Sequence, residues 1–425
     1  MSEDIDRLIK TAVFSEDSSQ KEASRKEIRT IANNLGINLA SINGYYMAIG
    51  SGKVPPSSTV PAINVRAMTY DTARVVFGLM LKHKIGPVIF EISRTEIEYT
   101  SQRPDEYATV VLAAAIKEGY KGPVFVQGDH FQFSANRYKE DPNAETEKIK
   151  ALIKEAVDAG FMNIDIDAST LVDLSKPTPN QQQVENYKAT SILTEYIRSL
   201  EKDTTISVGA EIGHIGDRNS TTEDLDAFMQ GYVEIIGNKM PGISKVSIQT
   251  GTSHGGIPLP DGKIADVKLD FSVIEDVGKL AREKYCIGGV VQHGASTLPN
   301  ELFGEFPKHH ALEIHLATGF QNIVYNNMPV ELKREIYKWL EENCKDEWEK
   351  DWNNEQFVYK LRKKATGPFK KKMWELSEVD KKPIIDALEK QFEFLFEKLN
   401  IFNTKDTVLS HIKTASSVNV SNPKF

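Results

Sequence analysis

GPVFVQGDH (residues 122–130), ETEKIKALIKEAVDAG (145–160) and FMNIDIDAS (161–169) decide the fold. The first and third are short, continuous apolar runs, as expected of strands covered on both faces. Between them Ile149, Leu152, Ile153 and Ala156 fall on one face at helical spacing, and Gly160 closes the helix. Strand, helix and strand in that order form a unit whose strands pair in parallel.

The same rhythm extends in both directions. Upstream stand PAINVRAM (61–68) and GPVIFEIS (86–93). Downstream follow TTISVGAEIG (204–213), SKVSIQTGTSHGG (244–256), IGGVVQHGAS (287–296) and GFQNIVYNN (319–327). Read as eight strands separated by helix-length stretches, these predict a (β/α)8 TIM barrel. A doubly wound sheet is the competing arrangement, but a G-x-G-x-x-G turn after the first strand is missing. Ser220 and Glu223 read as a capping box opening the helix through Phe228. Outside the barrel, residues 1–55 are charged and helix-like, and 330–400 carry all four tryptophans (Trp339, Trp348, Trp352, Trp374) at helical spacing. The expected division is one domain over 1–425: an N-terminal helical extension (1–55), the barrel (56–329), and C-terminal helices with a polar tail (330–425).

Composition narrows the function classes. The 425 residues are 40% hydrophobic and 26% charged, with a net charge of −8. A mildly acidic chain has no global basic field for nucleic acid or anionic lipid, so neither partner is expected. There is no uncharged run near the length needed to span a bilayer. Cys286 and Cys344 are the two cysteines, too few for a disulfide framework, and with a charged N-terminal segment they suggest a cytoplasmic protein.

Barrel strands converge at their C-terminal ends, where side chains far apart in sequence meet over one pocket. His130, His254 and His293 each stand at such an end. A strand-end histidine can simply hydrogen-bond neighbouring backbone. Three in matching contexts suit a zinc site with one position left open. Asp129, Asp165, Asp167 and Glu211 share the rim, and Asp165 and Asp167 share one strand face. Carboxylates there can ligate, orient a ligand or carry a proton. Gly255, Gly256, Gly294 and Ser296 leave backbone N–H groups open at late strand ends, where a phosphate commonly binds.

From Pro61 to Asn327 these motifs resemble the class II, zinc-dependent ketose-bisphosphate aldolases, typified by fructose-1,6-bisphosphate aldolase. GDH (128–130) is similar to the family's strand-end Asp-His, which implies Asp129 as the acid/base and His130 as a Zn²⁺ ligand. GTSHGG and QHGAS resemble its other histidine motifs, implying His254 and His293 as ligands and Gly255, Gly294 and Ser296 around a phosphate. GAEIG places Glu211 at the carboxylate near the metal. NIVYNN resembles the family's Asn-Ile-Asp-Thr strand, placing Asn322 at the enediolate and Tyr325 near the phosphate, while Asn64 and Ser93 face the pocket. The implied reaction is reversible cleavage of fructose 1,6-bisphosphate by a homodimer or homotetramer; the alternatives are a tagatose-bisphosphate aldolase or its non-catalytic accessory subunit. A Schiff-base route would need a buried lysine at a strand end, whereas Lys245 stands at a strand start.

Departures mark a divergent branch. The family's mobile carboxylate loop reads HIGDRNSTTED (214–224), with Asp217 and Glu223 as candidate carboxylates, and Val324 stands at a family Asp. Arg94 follows Ser93, where a bulkier or charged substrate group could be met. KLRKKATGPFKKK (360–372) is read chiefly as a solvated helix face, with a distal phosphate as its other use. His309, His310 and His315 are assigned to surface or packing, and His214 has no assigned role.

Overall fold

The computed structural model describes residues 2–213, 218–237, 239–251 and 269–412. Nine strands are present among them: β1 (Ile37–Leu39), β2 (Val60–Asn64), β3 (Ile89–Ser93), β4 (Gly122–Gln132), β5 (Asn163–Asp167), β6 (Ser207–Glu211), β7 (Lys245–Ile248), β8 (Val290–Gln292) and β9 (Glu313–Leu316). Strands β2 to β9 pair in parallel with their sequence neighbours, and β9 returns to β2, so the sheet closes into an eight-stranded barrel. The short β1 adds to the outside start of β4. This is the expected (β/α)8 barrel with helical extensions.

The helices follow their sequence signals. The one over Pro142–Asp158 is capped by Asp141, buries Ile149, Ile153 and Ala156, and ends before Gly160 at φ +88. The helix Thr222–Ile236 begins one residue later than the capping box proposed from sequence: Thr221 and Asp224 form the box. Ser220 instead accepts a hydrogen bond from the Gln249 backbone N–H at 2.9 Å, tying this loop to the end of β7.

The eighth strand is also placed differently. GFQNIVYNN lies in a helix, Thr318–Asn327, burying Phe320, Gln321, Val324 and Tyr325, a three-to-four-residue period that a strand cannot bury on one face. The strand is EIHL (313–316), whose two ionisable residues hid it among the apolar runs.

The barrel is plugged from below by the helix Asn43–Gly50, whose Tyr45, Tyr46 and Ile49 pack with Val60, Ile89, Phe125 and Leu312 near the strand starts. The C-terminal helices pack on the outside. Trp374 stacks on Tyr70 of the helix Thr69–Lys82, with ring centroids 5.8 Å apart, and meets Phe14 edge-on. Trp348 stacks on Phe357 at 4.2 Å. Among the described residues no helix is long and apolar enough to cross a membrane.

Candidate active site

The barrel interior carries a polar layer beneath its mouth. Lys245, at the start of β7, is buried and donates to Gln127 at 2.8 Å, Asp165 at 2.9 Å and Glu313 at 2.5 Å. Gly209 on the neighbouring strand makes this possible, since a Cβ there would come within 2.3 Å of Asp165 Oδ1. Gln127 also donates to Glu91 at 3.0 Å, and the Tyr46 hydroxyl, rising from the plug helix, donates to Glu313. Burial raises the Asp165 carboxyl to about 6 despite Lys245. Glu313 resists the same burial and is held at about 2, because it has both the shorter contact to Lys245 and one to His315.

Above this layer, β4 departs from regular pairing. Between Gly128 and Phe131 it carries one residue more than β5 opposite it, and His130 sits at φ +42. Alternation would send Asp129 and His130 to opposite faces; the bulge turns both into the pocket. His130 Nδ1 hydrogen-bonds Asp167 Oδ2 at 2.9 Å and stands 3.3 Å from Glu211 Oε2. The His293 ring lies 4.3 Å from that of His130, and its Nε2 is 2.9 Å from Ser247 Oγ. His130, Glu211 and His293 each offer a ligand atom within 4.8 Å of the others. Burial, joined by the charge of Asp167, raises the Glu211 carboxyl to about 7. Burial alone would disfavour a charged His130, but Asp129 and Glu211 outweigh it and raise its pKa. Three buried donors with this much negative charge around them suit a divalent cation, and the two-imidazole, one-carboxylate set fits zinc.

The pocket over this cluster has a volume of about 510 Å³. Asn64, Ser93, Asp129, His130, Glu211, His293, Gly294 and Ser296 all line it, as the sequence reading expects of them. Ser93 caps the helix Arg94–Tyr99 in a capping box with Glu96, which also accepts from Asn64 and from Arg66 at 2.7 Å. Arg94 lines the pocket but is tied to Glu145 at 2.9 Å. Gly294, at φ +72, opens a turn in which Ser296 Oγ accepts from the Gly319 N–H at 3.2 Å. His254, Gly255, His214 and Asp217 lie outside the described residues, and Glu223 stands exposed at the start of its helix.

The structure does not bring Asn322 and Tyr325 to this pocket. The helix that replaces the expected strand turns Tyr325 outward, where its hydroxyl donates to the Arg362 carbonyl at 2.7 Å, and Asn322 faces Tyr359 and Arg362. The position they were given belongs to β9. There His315, read as surface or packing, is buried with its ring 4.1 Å from His293 and its Nδ1 3.2 Å from Asp129 Oδ1. The alternation Glu-Ile-His-Leu was the available signal, the same pattern that marked Asp165 and Asp167. Lys360 and Lys363, from the segment read chiefly as a solvated face, line the pocket rim beside Arg66.

A family model for class-II fructose-bisphosphate aldolase matches residues 57–381. The chain belongs to that family. Among solved structures it is similar to fructose-bisphosphate aldolase from Campylobacter jejuni (15% identity, 86% of this chain and 97% of that one, TM-score 0.51). It is also similar to a protein described as a probable tagatose 6 phosphate kinase from Sinorhizobium meliloti 1021 (13% identity, 83% and 98% covered, TM-score 0.56). At such identities the likeness is one of fold. A sequence search of curated proteins finds no match. For this aldolase-family chain, the bulge at Asp129–His130 and the late-strand glycine turn put the family's motif residues around one mouth, while β9 brings a histidine in place of the expected Asn-Ile-Asp-Thr strand.

Proposed function

We propose that this chain catalyses the reversible, zinc-dependent cleavage of fructose 1,6-bisphosphate to dihydroxyacetone phosphate and glyceraldehyde 3-phosphate. The observation that carries the proposal is the convergence of His130, Glu211 and His293 beside Asp129 in one basic-rimmed pocket. His130, His293 and Glu211 are the described residues that would hold the ion. A bound zinc ion supplies Lewis-acid polarisation of the ketose carbonyl.

The remaining roles belong to the chain. Asp129 stands at the mouth to take the C4 hydroxyl proton in cleavage and return it in condensation. Asp167 accepts from His130 Nδ1, fixing its ring. One phosphate fits where Gly294 and Ser296 face the N-terminus of the helix Thr318–Asn327, whose first residues also line the pocket. The other fits the opposite rim. Arg66 is engaged by Glu96, but Lys360 and Lys363 make no ion pair among the described residues. Burial and the nearby Arg66 charge lower the Lys363 pKa, an imbalance that a dianionic group would relieve. Two anchored phosphates hold the bond to be broken beside the reacting groups.

Lys245 does not suit a Schiff-base route. Lys245 is held between two carboxylates that raise its pKa against the effect of burial, so its amine stays protonated and unreactive. The proposal is tested by assaying chelated and zinc-reloaded protein on a panel of ketose mono- and bisphosphates. Zinc-dependent cleavage favouring fructose 1,6-bisphosphate is expected; equal rates on tagatose 1,6-bisphosphate would place the chain in the other branch, and metal-independent turnover would end the zinc reading.

A further inference from the structure

Lys360 and Lys363 are carried by the helix Asn354–Leu361 and the 3-10 turn Arg362–Ala365. Phe357, Val358, Leu361 and Ala365 are buried in this segment, and the two lysines line the pocket rim. Between them stands Arg362, which is 7% exposed and makes no ion pair among the described residues. Its guanidinium carbon lies 5.0 Å from the centre of the Tyr325 ring and 4.7 Å from that of Tyr359, and the group donates to Asn322 Oδ1. The Tyr325 hydroxyl donates in return to the Arg362 carbonyl at 2.7 Å. Asn322 and Tyr325 belong to the helix Thr318–Asn327, whose first residue lines the pocket. A second tie lies on the other side of Lys363. There the Gly367 N–H donates to the Tyr99 carbonyl at 3.0 Å, and a Cβ at Gly367 would come within 2.5 Å of that oxygen. Lys363 therefore stands between two anchor points.

The chemistry of the first tie decides the local charge. Burying a guanidinium without a counter-ion costs free energy, and burial lowers the Arg362 pKa, with Tyr359, Tyr325 and Tyr337 acting against it. Two aromatic faces and one amide oxygen hold this cation without bringing in a carboxylate. Arg66, on the same rim, is engaged by Glu96. A tie built on a carboxylate would likewise cancel positive charge beside the lysines, whereas this one keeps it. We propose that Arg362 is the positioning residue of the distal anion seat: gripped by Tyr325, Tyr359 and Asn322, it fixes Lys360 and Lys363 at the pocket rim. Without that grip the distal phosphate is bound more weakly. The proposal rests on the reading above that these lysines meet the distal phosphate. It also gives Asn322 and Tyr325 a use: they serve the phosphate seat through Arg362 and do not touch substrate.

The test uses the full chain and the variants Arg362→Met, Arg362→Lys and Asn322→Ala, with melting curves to show that each folds. Arg362→Met is expected to raise KM for fructose 1,6-bisphosphate about fivefold with kcat within about twofold of wild type, and to leave KM for fructose 1-phosphate unchanged. Arg362→Lys, which keeps a charge between the rings, recovers part of the loss, and Asn322→Ala shows a smaller rise of the same kind. Made in the Lys360→Met/Lys363→Met background, Arg362→Met adds nothing, because a residue acting through those lysines has nothing left to place. Hydrogen exchange gives a readout that needs no turnover: backbone amides over 354–365 exchange faster in Arg362→Met, while those of the barrel strands are unchanged. Equal KM rises for both substrates, an added rise in the lysine-free background, or unchanged exchange over 354–365 overturns the proposal. Should Arg362→Met not fold, Arg362→Lys and Asn322→Ala are read by the same criteria. If wild type cleaves no ketose phosphate, the catalytic reading fails by itself, and calorimetric binding of inorganic phosphate takes the place of KM. Binding weakened in Arg362→Met, and no further in the lysine-free background, then supports the positioning role; binding equal to wild type overturns it.

Discussion

Replacing Lys245 with methionine, which nearly preserves volume, removes the ammonium on which the polar layer closes. Three donor contacts of 2.5–2.9 Å disappear, and Asp165 and Glu313 remain buried without their shared cation. Removing one partner of a buried ion pair costs about 3–5 kcal/mol, because the other charge stays buried and uncompensated. Set against a total stability of about 5–15 kcal/mol, the variant folds but melts early, by roughly 3–6 °C for a chain of 425 residues. The deficit also has a sign in pH. Without Lys245 both carboxylates have folded-state pKa values above those of the unfolded chain, and Asp165 is already at about 6 in the intact protein. Such groups favour the folded state at low pH, and that benefit is lost as pH rises through the folded values. The melting difference between wild type and Lys245→Met is therefore expected to be small at pH 5 and to widen by pH 8. Adding Glu313→Gln recovers part of it by removing one of the two charges. Thermal unfolding by circular dichroism across that range is the assay. A drop that is absent, or equal at both pH values, refutes the account of Lys245 as a structural counter-ion.

Other outcomes follow from the same geometry. Asp129→Ala should lower kcat by about 10²–10⁴-fold in steady-state assays, while metal analysis shows the ion proposed at His130, Glu211 and His293 retained. The double variant Lys360→Met/Lys363→Met should raise KM for fructose 1,6-bisphosphate by about tenfold or more, and leave a 1-phosphate substrate little changed. Glu145 accepts from Arg137 at 2.8 Å, Arg94 at 2.9 Å and the Ser134 N–H at 3.0 Å, and these hold its carboxyl at about 2 against burial. Its contribution is present above the unfolded value and fades as pH falls toward 2, so Glu145→Gln should cost about 1–3 kcal/mol at pH 7 in urea unfolding and much less at pH 3.

Most of the barrel was legible because continuous apolar strands and single-faced helices leave different periods in the sequence. Strands β2 to β8 were announced by runs such as VIFEIS and KVSI, and their ends pointed to Asp129, His130, Glu211 and His293. The eighth strand was not, because its interior positions are Glu313 and His315. Their burial is made favourable by Lys245, Tyr46 and Asp129, partners that only the closed barrel supplies. Once EIHL was passed over, the next apolar stretch took its place, and Asn322 and Tyr325 inherited roles that a helix denies them. The bulge at His130 left no signal of its own in GDH, since nothing in those three residues requires a left-handed histidine. Lys360 and Lys363 were illegible for a different reason. A basic run looks alike whether it faces water or a pocket, and only the docking of the C-terminal helices distinguishes the two.

The most direct test of the account is product analysis with fructose 1,6-bisphosphate before and after metal removal. The full chain, chelated to less than a tenth of an equivalent of zinc, is expected to release neither triose phosphate, and one added equivalent of Zn²⁺ is expected to restore both. Undiminished release of dihydroxyacetone phosphate and glyceraldehyde 3-phosphate by the metal-depleted chain would contradict it.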